Sequence, residues 1–187
     1  MNQNATPRDA TRRNFLQTAA VSGAALAWPW TRFVHAAGSD EIKIALSGCG
    51  GRGTGAVSDA MVNKVGAKLK LVAIHDAFKE RVDASLQALK GRFGEQADVP
   101  AERQFTGLDG YLKLMETDAD IVLLCSPPGF RPMHYEAAVK AGKHVFMEKP
   151  LAVDAPGVRR IMATNEEAKK KGLRVAVGHH LRHEVKH

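Results

Sequence analysis

The sequence of 187 residues predicts an α/β fold in which helices cover both faces of a doubly wound parallel sheet. Short apolar runs alternate with segments that repeat apolar residues at helical spacing throughout residues 41–180. A glycine-rich turn joins the first apolar run to the first helical segment. An aspartate follows the second run, a little over twenty residues beyond those glycines, so the first unit has the order strand, turn, helix, strand, acid.

The first unit carries the motif on which the chain is centred. A buried strand is predicted over Ile42–Leu46, and apolar residues at helical spacing begin at Ala56 and extend to Val65. Between them, Gly48, Gly50 and Gly53 complete the pattern G-x-G-x-x-G. In this pattern the first glycine permits a tight turn, the second lets the backbone approach a pyrophosphate, and the third lets helix and strand pack closely. Taken alone, the motif also fits a glycine-rich turn that binds no nucleotide.

The second predicted strand, Leu69–Ile74, supplies the acid of this unit. It leads into His75 and Asp76, and a carboxylate at this place can accept hydrogen bonds from the hydroxyls of an adenine ribose. The alternative is that Asp76 is an ordinary turn residue at the end of the strand. If Asp76 binds the ribose, it repels a 2′-phosphate, and no arginine directly follows it, although Lys79 can compensate in part. Two lost charge-assisted hydrogen bonds of about 1.5 kcal/mol each predict a preference for NAD over NADP of roughly a hundredfold.

The remaining elements continue the alternation, which predicts a sheet with strand order 3-2-1-4-5-6. Helices are predicted over Phe78–Phe93, Leu108–Glu116, Met133–Ala141 and Val153–Lys171, and strands over Arg103–Thr106, Ala119–Cys125, His144–Met147 and Leu173–Val177. In the helix Leu108–Glu116, the residues predicted to face the core are Leu108, Tyr111, Leu112 and Met115. In the helix Val153–Lys171, they are Ala155, Val158, Ile161, Met162 and Ala168.

Polar and glycine-rich motifs follow the predicted strands, and they should line one crevice because the carboxyl ends of parallel strands meet at one edge. They are Gly48-Cys49-Gly50-Gly51-Arg52-Gly53, Asp76, Ser126-Pro127-Pro128 with His134 downstream, Glu148-Lys149-Pro150, and Gly178-His179-His180-Leu181-Arg182-His183. Over residues 41–187, this set resembles the Gfo/Idh/MocA oxidoreductases.

The resemblance implies a Rossmann domain over residues 41–180 that binds NAD and, less readily, NADP. It implies hydride transfer between the nicotinamide and a hydroxyl of a sugar or cyclitol, with Lys149 as the catalytic residue that holds this hydroxyl. At His180 and Leu181 the chain departs from the Gln and Arg often found in the family. The implied cofactor contacts are Gly48, Cys49, Gly50, Gly51, Arg52, Gly53, Asp76, Ser126, Pro127, Pro128, His134, Glu148, Lys149 and Arg182.

The family pattern continues into a second α/β domain that supplies much of the substrate pocket, and we expect this sequence to be truncated before that domain. We expect residues 181–187 to begin the linker to it, and a homo-oligomer would form through that missing domain. The alternative function is a non-catalytic nucleotide-binding module or a truncated remnant of an enzyme.

The first 37 residues are predicted to be an export signal rather than part of the fold. Arg12-Arg13-Asn14-Phe15-Leu16 has the paired arginines of a twin-arginine signal, and a modest apolar stretch, Thr18–Trp28, follows. This stretch is shorter than the roughly 20 residues that cross a bilayer as a helix. We therefore expect transport to the periplasm by the twin-arginine translocase. The alternative is an amphipathic or disordered extension.

Composition argues against several other classes of protein. The net charge of +7 lies partly in the amino-terminal segment, and the rest is scattered without interleaved aromatic residues, so we expect no nucleic-acid partner. Two cysteines, Cys49 and Cys125, are too few for a disulfide framework or a zinc site, so we expect free thiols and no metal. His183–His187 matches the zinc motif H-E-x-x-H, but we attribute the match to chance because only three positions are fixed.

Overall fold

The computed structural model describes residues 41–62 and 67–179. Its strands are β1 (Glu41–Ser47), β2 (Lys68–Asp76), β3 (Gln104–Thr106), β4 (Ile121–Leu124), β5 (His144–Met147) and β6 (Val175–Val177). Its α-helices are α1 (Gly51–Val62), α2 (Lys79–Phe93), α3 (Gly110–Met115), α4 (Arg131–Lys140) and α5 (Ala155–Lys170), and short 3-10 turns at Gly94–Ala97 and Ala101–Arg103 follow α2.

All six strands are parallel and lie in the order β3-β2-β1-β4-β5-β6, which confirms the predicted doubly wound sheet. Successive side chains of a strand point to opposite faces, and the core divides accordingly. On β1, Ile44 and Leu46 pack in one cluster with α1 and α2, whereas Ala45 belongs to a second cluster with α3, α4 and α5. The helices therefore cover both faces of the sheet.

Helix α3 buries a different face from the one predicted. Tyr111 and Met115 are buried as expected, but Leu108 and Leu112 are 64% and 48% exposed. Leu108 precedes the first turn of the helix, and Leu112 lies on the side opposite the residues that contact the sheet. Leu114 takes their place in the core, since it shares a helical face with Tyr111.

Helix α5 also differs from the prediction, although its existence is confirmed. Ala155 is exposed in its first turn, and Val158 and Met162 are 48% and 65% exposed. A hydrophobic residue is buried only where its helical face meets a neighbouring element, so apolar character alone does not assign the face. The residues that α5 buries are Ile161, Thr164 and Ala168.

Several predictions fall outside the described residues. They concern the export signal, which contains Arg12 and Arg13, and the H-E-x-x-H motif at His183–His187. They also concern Val65 as a helical position and Arg182 as a cofactor contact. Within residues 41–62 and 67–179, no helix has the length and apolar character needed to cross a membrane.

Candidate functional site

The glycine-rich turn between β1 and α1 contains two glycines that the fold itself requires. Gly48 has a φ of +99°, and a Cβ there would lie 2.3 Å from the backbone nitrogen of Ser126. A Cβ on Gly53 would lie 1.8 Å from the carbonyl oxygen of Gly48. A Cβ on Gly50, in contrast, meets only the Arg81 guanidinium, at 3.6 Å. The space beside Gly50 is therefore open to a ligand, as pyrophosphate binding requires.

Asp76 is tied to this turn by its side chain. Its Oδ2 accepts a hydrogen bond of 2.8 Å from the backbone N–H of Cys49, and its Oδ1 accepts one of 3.1 Å from that of Phe78. A carboxylate has about four lone-pair positions, so two remain for ribose hydroxyls. Asp76 is only 8% exposed, yet it lines a cavity of about 260 Å³ beside Gly48 and Pro127.

The other walls of this first cavity are largely apolar. Phe78, Leu108 and Phe130 surround it and are 60%, 64% and 42% exposed. Planar, apolar walls next to a carboxylate suit a purine attached to a ribose. Leu108 was predicted to face the core, and Phe130 was not predicted to be part of a site. A large apolar residue at the end of a strand–helix connection is the signal that could have identified both.

His134 lies in the wall of the same cavity and supports the loop that holds Ser126. Its Nδ1 is 3.0 Å from Ser126 Oγ, and its ring stacks on Tyr111 with 4.3 Å between ring centroids. Burial lowers the pKa of His134 to about 4, and repulsion from His75 in its protonated form and from the Arg131 guanidinium contributes to the shift. The imidazole is therefore neutral near pH 7. Its Nε2 has no hydrogen-bond partner within the described part of the chain.

His75 joins the ends of β1 and β2 to the loop after β3. Burial lowers the pKa of His75, so its ring is neutral near pH 7. Its Nε2 must donate to the carbonyl of Gly107, 2.9 Å away, because a carbonyl oxygen only accepts. Its Nδ1 therefore accepts from the hydroxyl of Ser47 at 3.0 Å. This network fixes the floor beneath the glycine-rich turn.

Glu148 and Lys149 follow β5 and lie next to the start of α1. Glu148 is only 7% exposed, and its Oε1 lies 3.2 Å from Nε of Arg52. The same guanidinium also pairs with Asp59 at 2.9 Å. The side chain of Arg52, expected to contact the cofactor, is thus engaged by two carboxylates. Its backbone N–H remains at the amino terminus of α1, where phosphate oxygens bind.

A second cavity, of about 430 Å³, opens beside this ion pair. Lys149 is exposed and lines it together with Glu148, Phe146 and Gly178. Gly178 is needed there, because a Cβ on it would lie 3.0 Å from the Glu148 carboxyl group. Among the described residues, Lys149 forms no ion pair with a carboxylate. Its ammonium group can therefore meet a substrate oxygen.

Arg131 connects the two loops that flank these cavities, and sequence reasoning missed it. It is 3% exposed, and its guanidinium donates hydrogen bonds to the backbone carbonyls of Ser126 and Pro150. Burial lowers the pKa of Arg131. An arginine in the first turn of a helix opposes the helix dipole, and this placement was the available signal.

The structure thus divides most of the predicted site residues between two cavities. Arg182 lies outside the described residues, Pro128 lines neither cavity, and Gly51 and Gly53 support the turn. Around the first cavity and its turn are Gly48, Cys49, Gly50, Asp76, Ser126, Pro127 and His134, and around the second are Arg52, Glu148 and Lys149.

The two cysteines lie near the glycine-rich turn as free thiols. Burial raises the pKa of Cys125 to about 12 and also raises that of Cys49, whose thiol donates to the carbonyl of His75. Both sulfurs are therefore protonated and unreactive at neutral pH. Within residues 41–62 and 67–179, no cluster of three or more His, Cys, Asp or Glu side chains could hold a metal ion.

Comparison with known proteins gives a family match over most of the chain. Residues 42–179 match the Gfo/Idh/MocA model, described as an oxidoreductase family with an NAD-binding Rossmann fold. Inositol 2-dehydrogenase of Paracoccus denitrificans is 30% identical over 126 residues, which are 66% of this chain and 34% of that protein. The chain therefore spans about a third of the length of the curated relatives it matches.

Two solved structures are similar to the chain at 27% sequence identity. One is apo scyllo-inositol dehydrogenase from Lactobacillus casei, with a TM-score of 0.58 over 77% of this chain and 38% of that one. The other is the WlbA dehydrogenase from Bordetella pertussis in complex with NADH and UDP-GlcNAcA, with a TM-score of 0.53 over 76% and 36% of the respective chains.

Proposed function

Because the chain belongs to the Gfo/Idh/MocA oxidoreductase family, in its NAD-binding Rossmann fold, we propose that it serves hydride transfer between a nicotinamide cofactor and a hydroxyl of a sugar or cyclitol. One observation carries the proposal. The glycine-rich turn and the Glu148-Lys149 loop are joined by the Arg52–Glu148 ion pair, so the turn adjoins a cavity in which Lys149 has no carboxylate partner among the described residues. The inositol dehydrogenases among the relatives support a polyhydroxylated substrate.

The residues of the first cavity fit an NAD molecule. The open space beside Gly50 admits the pyrophosphate, and the amino terminus of α1 offers backbone N–H groups to it. Asp76 keeps two acceptor positions for the ribose hydroxyls, and the apolar walls beside Pro127 accommodate the adenine. Lys149 and Glu148, which line the second cavity, would then serve the nicotinamide end of the cofactor.

In this proposal the residues of the chain accept the proton of the substrate hydroxyl and stabilise the negative charge that develops on its oxygen. The nicotinamide supplies the hydride acceptor, or the donor in the reverse direction. Lys149 would first release one of its ammonium protons to water, and the neutral amine would then accept the proton of the substrate hydroxyl. The ammonium group that this re-forms would donate a hydrogen bond to the oxygen on the reacting carbon and stabilise its negative charge. Glu148, held by Arg52, fixes the backbone from which Lys149 projects.

The test is to purify the full chain, measure NAD binding by calorimetry, and screen inositols and aldoses for NADH formation. We expect Lys149→Ala to lower kcat by at least about a hundredfold while NAD affinity stays within about threefold. Lys170→Ala is the matched control, because Lys170 pairs with Glu167 on the surface of α5. Turnover that persists in Lys149→Ala would contradict the assignment. NAD binding without turnover of any polyol would favour a non-catalytic nucleotide-binding module instead.

We also propose that the protein is exported by the twin-arginine route. Support comes from Arg12-Arg13-Asn14-Phe15-Leu16, which precedes a weakly apolar stretch. Replacing both arginines by lysine should keep the protein in the cytoplasm, as measured by cell fractionation. Periplasmic protein in that double variant would refute this route.

A further inference from the structure

His179 and Lys149 follow two neighbouring strands and line the same cavity. Strands β5 and β6 are parallel, and Met147 pairs with Val177 in their register. Lys149 is the second residue after Met147, and His179 is the second residue after Val177. Because strands that end in register bring the residues after them to one edge of the sheet, both residues line the second cavity, of about 430 Å³.

The backbone around His179 is held at the end of β6, whereas its side chain is exposed. The backbone N–H of His179 donates a hydrogen bond of 2.8 Å to the carbonyl of Val177, and that of Gly178 donates one of 2.9 Å to the carbonyl of Met147. Within residues 41–62 and 67–179, the imidazole itself forms no hydrogen bond or ion pair. Both ring nitrogens are therefore available to a ligand in the cavity.

The other polar side chains that line this cavity are engaged in ion pairs or assigned to the reacting hydroxyl. The guanidinium of Arg52 lies 3.2 Å from the carboxylate of Glu148 and 2.9 Å from that of Asp59. The amino group of Lys149 is assigned to the oxygen on the reacting carbon. A neutral imidazole carries one N–H donor and one acceptor nitrogen. Among the described residues, His179 is therefore the lining side chain that offers an acceptor outside an ion pair.

We propose that His179 binds the hydroxyl on the carbon next to the reacting one and thereby makes the site selective for vicinal diols. When the reacting oxygen meets Lys149, the neighbouring hydroxyl lies in the same cavity and needs an acceptor for its proton. A hydroxyl that is buried without an acceptor loses the hydrogen bond it makes in water, which weakens binding. The acceptor nitrogen of His179 replaces that hydrogen bond. The inference rests on the proposed function.

The experiment measures how strongly the full chain binds myo-inositol and a set of cyclohexanepentols, each of which lacks one ring hydroxyl. The chain is saturated with NADH, which cannot accept a hydride from these compounds, and affinities are measured by saturation-transfer NMR. For the unaltered protein we expect at least one pentol to bind about tenfold more weakly than myo-inositol. In His179→Leu this ratio should fall below about threefold, because the acceptor for that hydroxyl has been removed.

Two further variants separate recognition of the hydroxyl from a change in the fold. His179→Asn should keep most of the ratio, because its amide also donates and accepts. His144→Leu is the matched control, since His144 lies at the amino end of β5 and its Nδ1 accepts from the backbone N–H of Arg174 at 2.9 Å. It should leave the ratio unchanged. NADH affinity, measured by calorimetry, should stay within about twofold in all three variants.

The outcomes distinguish this inference from the function on which it rests. An unchanged ratio in His179→Leu would overturn the inference even if both affinities fall, since His179 would then shape the cavity without recognising a second hydroxyl. A chain that binds NADH but no polyol would also overturn it. Polyol binding without NADH formation from NAD would instead contradict the proposed hydride transfer, and the affinity ratio would still decide the role of His179.

Discussion

The guanidinium of Arg52 lies 3.2 Å from the carboxylate of Glu148, and this contact links the start of α1 to the loop after β5. The Glu148 side chain is 10% exposed, whereas that of Arg52 is 55% exposed. The ion pair therefore stabilises an otherwise buried carboxylate next to Lys149. It also couples the nucleotide-binding turn to the proposed catalytic loop.

A double-mutant cycle should detect this coupling. Arg52→Met is expected to lower the free energy of unfolding by about 1 kcal/mol, because the buried carboxylate of Glu148 loses its cation. The cost stays this small because solvent screens the exposed guanidinium. In the Glu148→Gln background the same change should cost clearly less, since no buried charge is left unpaired. Urea titration of the four proteins measures the difference. Equal costs in both backgrounds would mean that the two side chains are not coupled.

Gly53 and Gly51 differ sharply in what a methyl group would meet, although both lie in the first turn of α1. Gly53→Ala should destabilise the protein by at least about 3 kcal/mol, because the new Cβ would lie 1.8 Å from the Gly48 carbonyl oxygen. Gly51→Ala should be neutral or stabilising by up to about 1 kcal/mol, because nothing lies within 4 Å. Thermal unfolding of both variants checks this. Similar stabilities would show that the turn can rearrange.

Gly50 should matter for binding rather than for folding. A Cβ there makes only an ordinary contact of 3.6 Å with Arg81, so Gly50→Ala should change the free energy of unfolding by less than about 0.5 kcal/mol. The methyl group would, however, occupy the space through which the backbone approaches a pyrophosphate, and NAD affinity should fall more than about tenfold. Calorimetry and urea unfolding together separate the two effects. Undiminished NAD affinity would exclude the pyrophosphate from this position.

Asp76→Asn should shift the preference between cofactors toward NADP. The amide removes the negative charge that repels a 2′-phosphate and weakens two hydrogen bonds to ribose hydroxyls, worth about 1.5 kcal/mol each. We therefore expect the ratio of NADP to NAD affinity to rise by up to about a hundredfold. Asp83→Asn, at the exposed end of the pair with Lys79, is the control and should leave the ratio unchanged. A constant ratio in Asp76→Asn would remove Asp76 from the ribose site.

His134 should make the protein sensitive to acid. Its pKa falls from an ordinary value of about 6.5 in the unfolded chain to about 4 in the fold, mainly through burial. The unfolded state therefore binds the proton first as pH decreases, so stability is full above pH 6.5 and is lost progressively toward pH 4. At pH 5 the loss from this residue alone should be about 2 kcal/mol relative to pH 7.5.

His134→Asn isolates this contribution, since its amide does not titrate and can still form a hydrogen bond with the Ser126 hydroxyl. The variant should lose about 2 kcal/mol less stability than the unaltered protein between pH 7.5 and pH 5, measured by urea unfolding at each pH. His75 shifts in the same direction and remains in both proteins, so it does not affect the comparison. The same pH dependence in the variant would show that His134 does not titrate in this range.

The sequence by itself determined the order of the elements, the strand order, and the place of the glycine-rich turn and Asp76. Each of these depends on a local signal: alternating apolar runs, glycines at fixed spacing, and an acid at a strand end. Even the requirement for glycine at Gly48 and Gly53 follows from the motif, and the contacts with Ser126 and with the turn explain it.

Only the tertiary structure decided which side chains meet across the site. Arg131 reaches the carbonyl of Pro150, Arg52 pairs with Glu148, and these partners lie far apart in the chain. Arg81 is left without a carboxylate partner among the described residues, while Lys79 has one within its own helix. The exposure of Leu108 has the same origin. A side chain's partners are set by the packing of elements that are distant in sequence, and local periodicity carries no information about them.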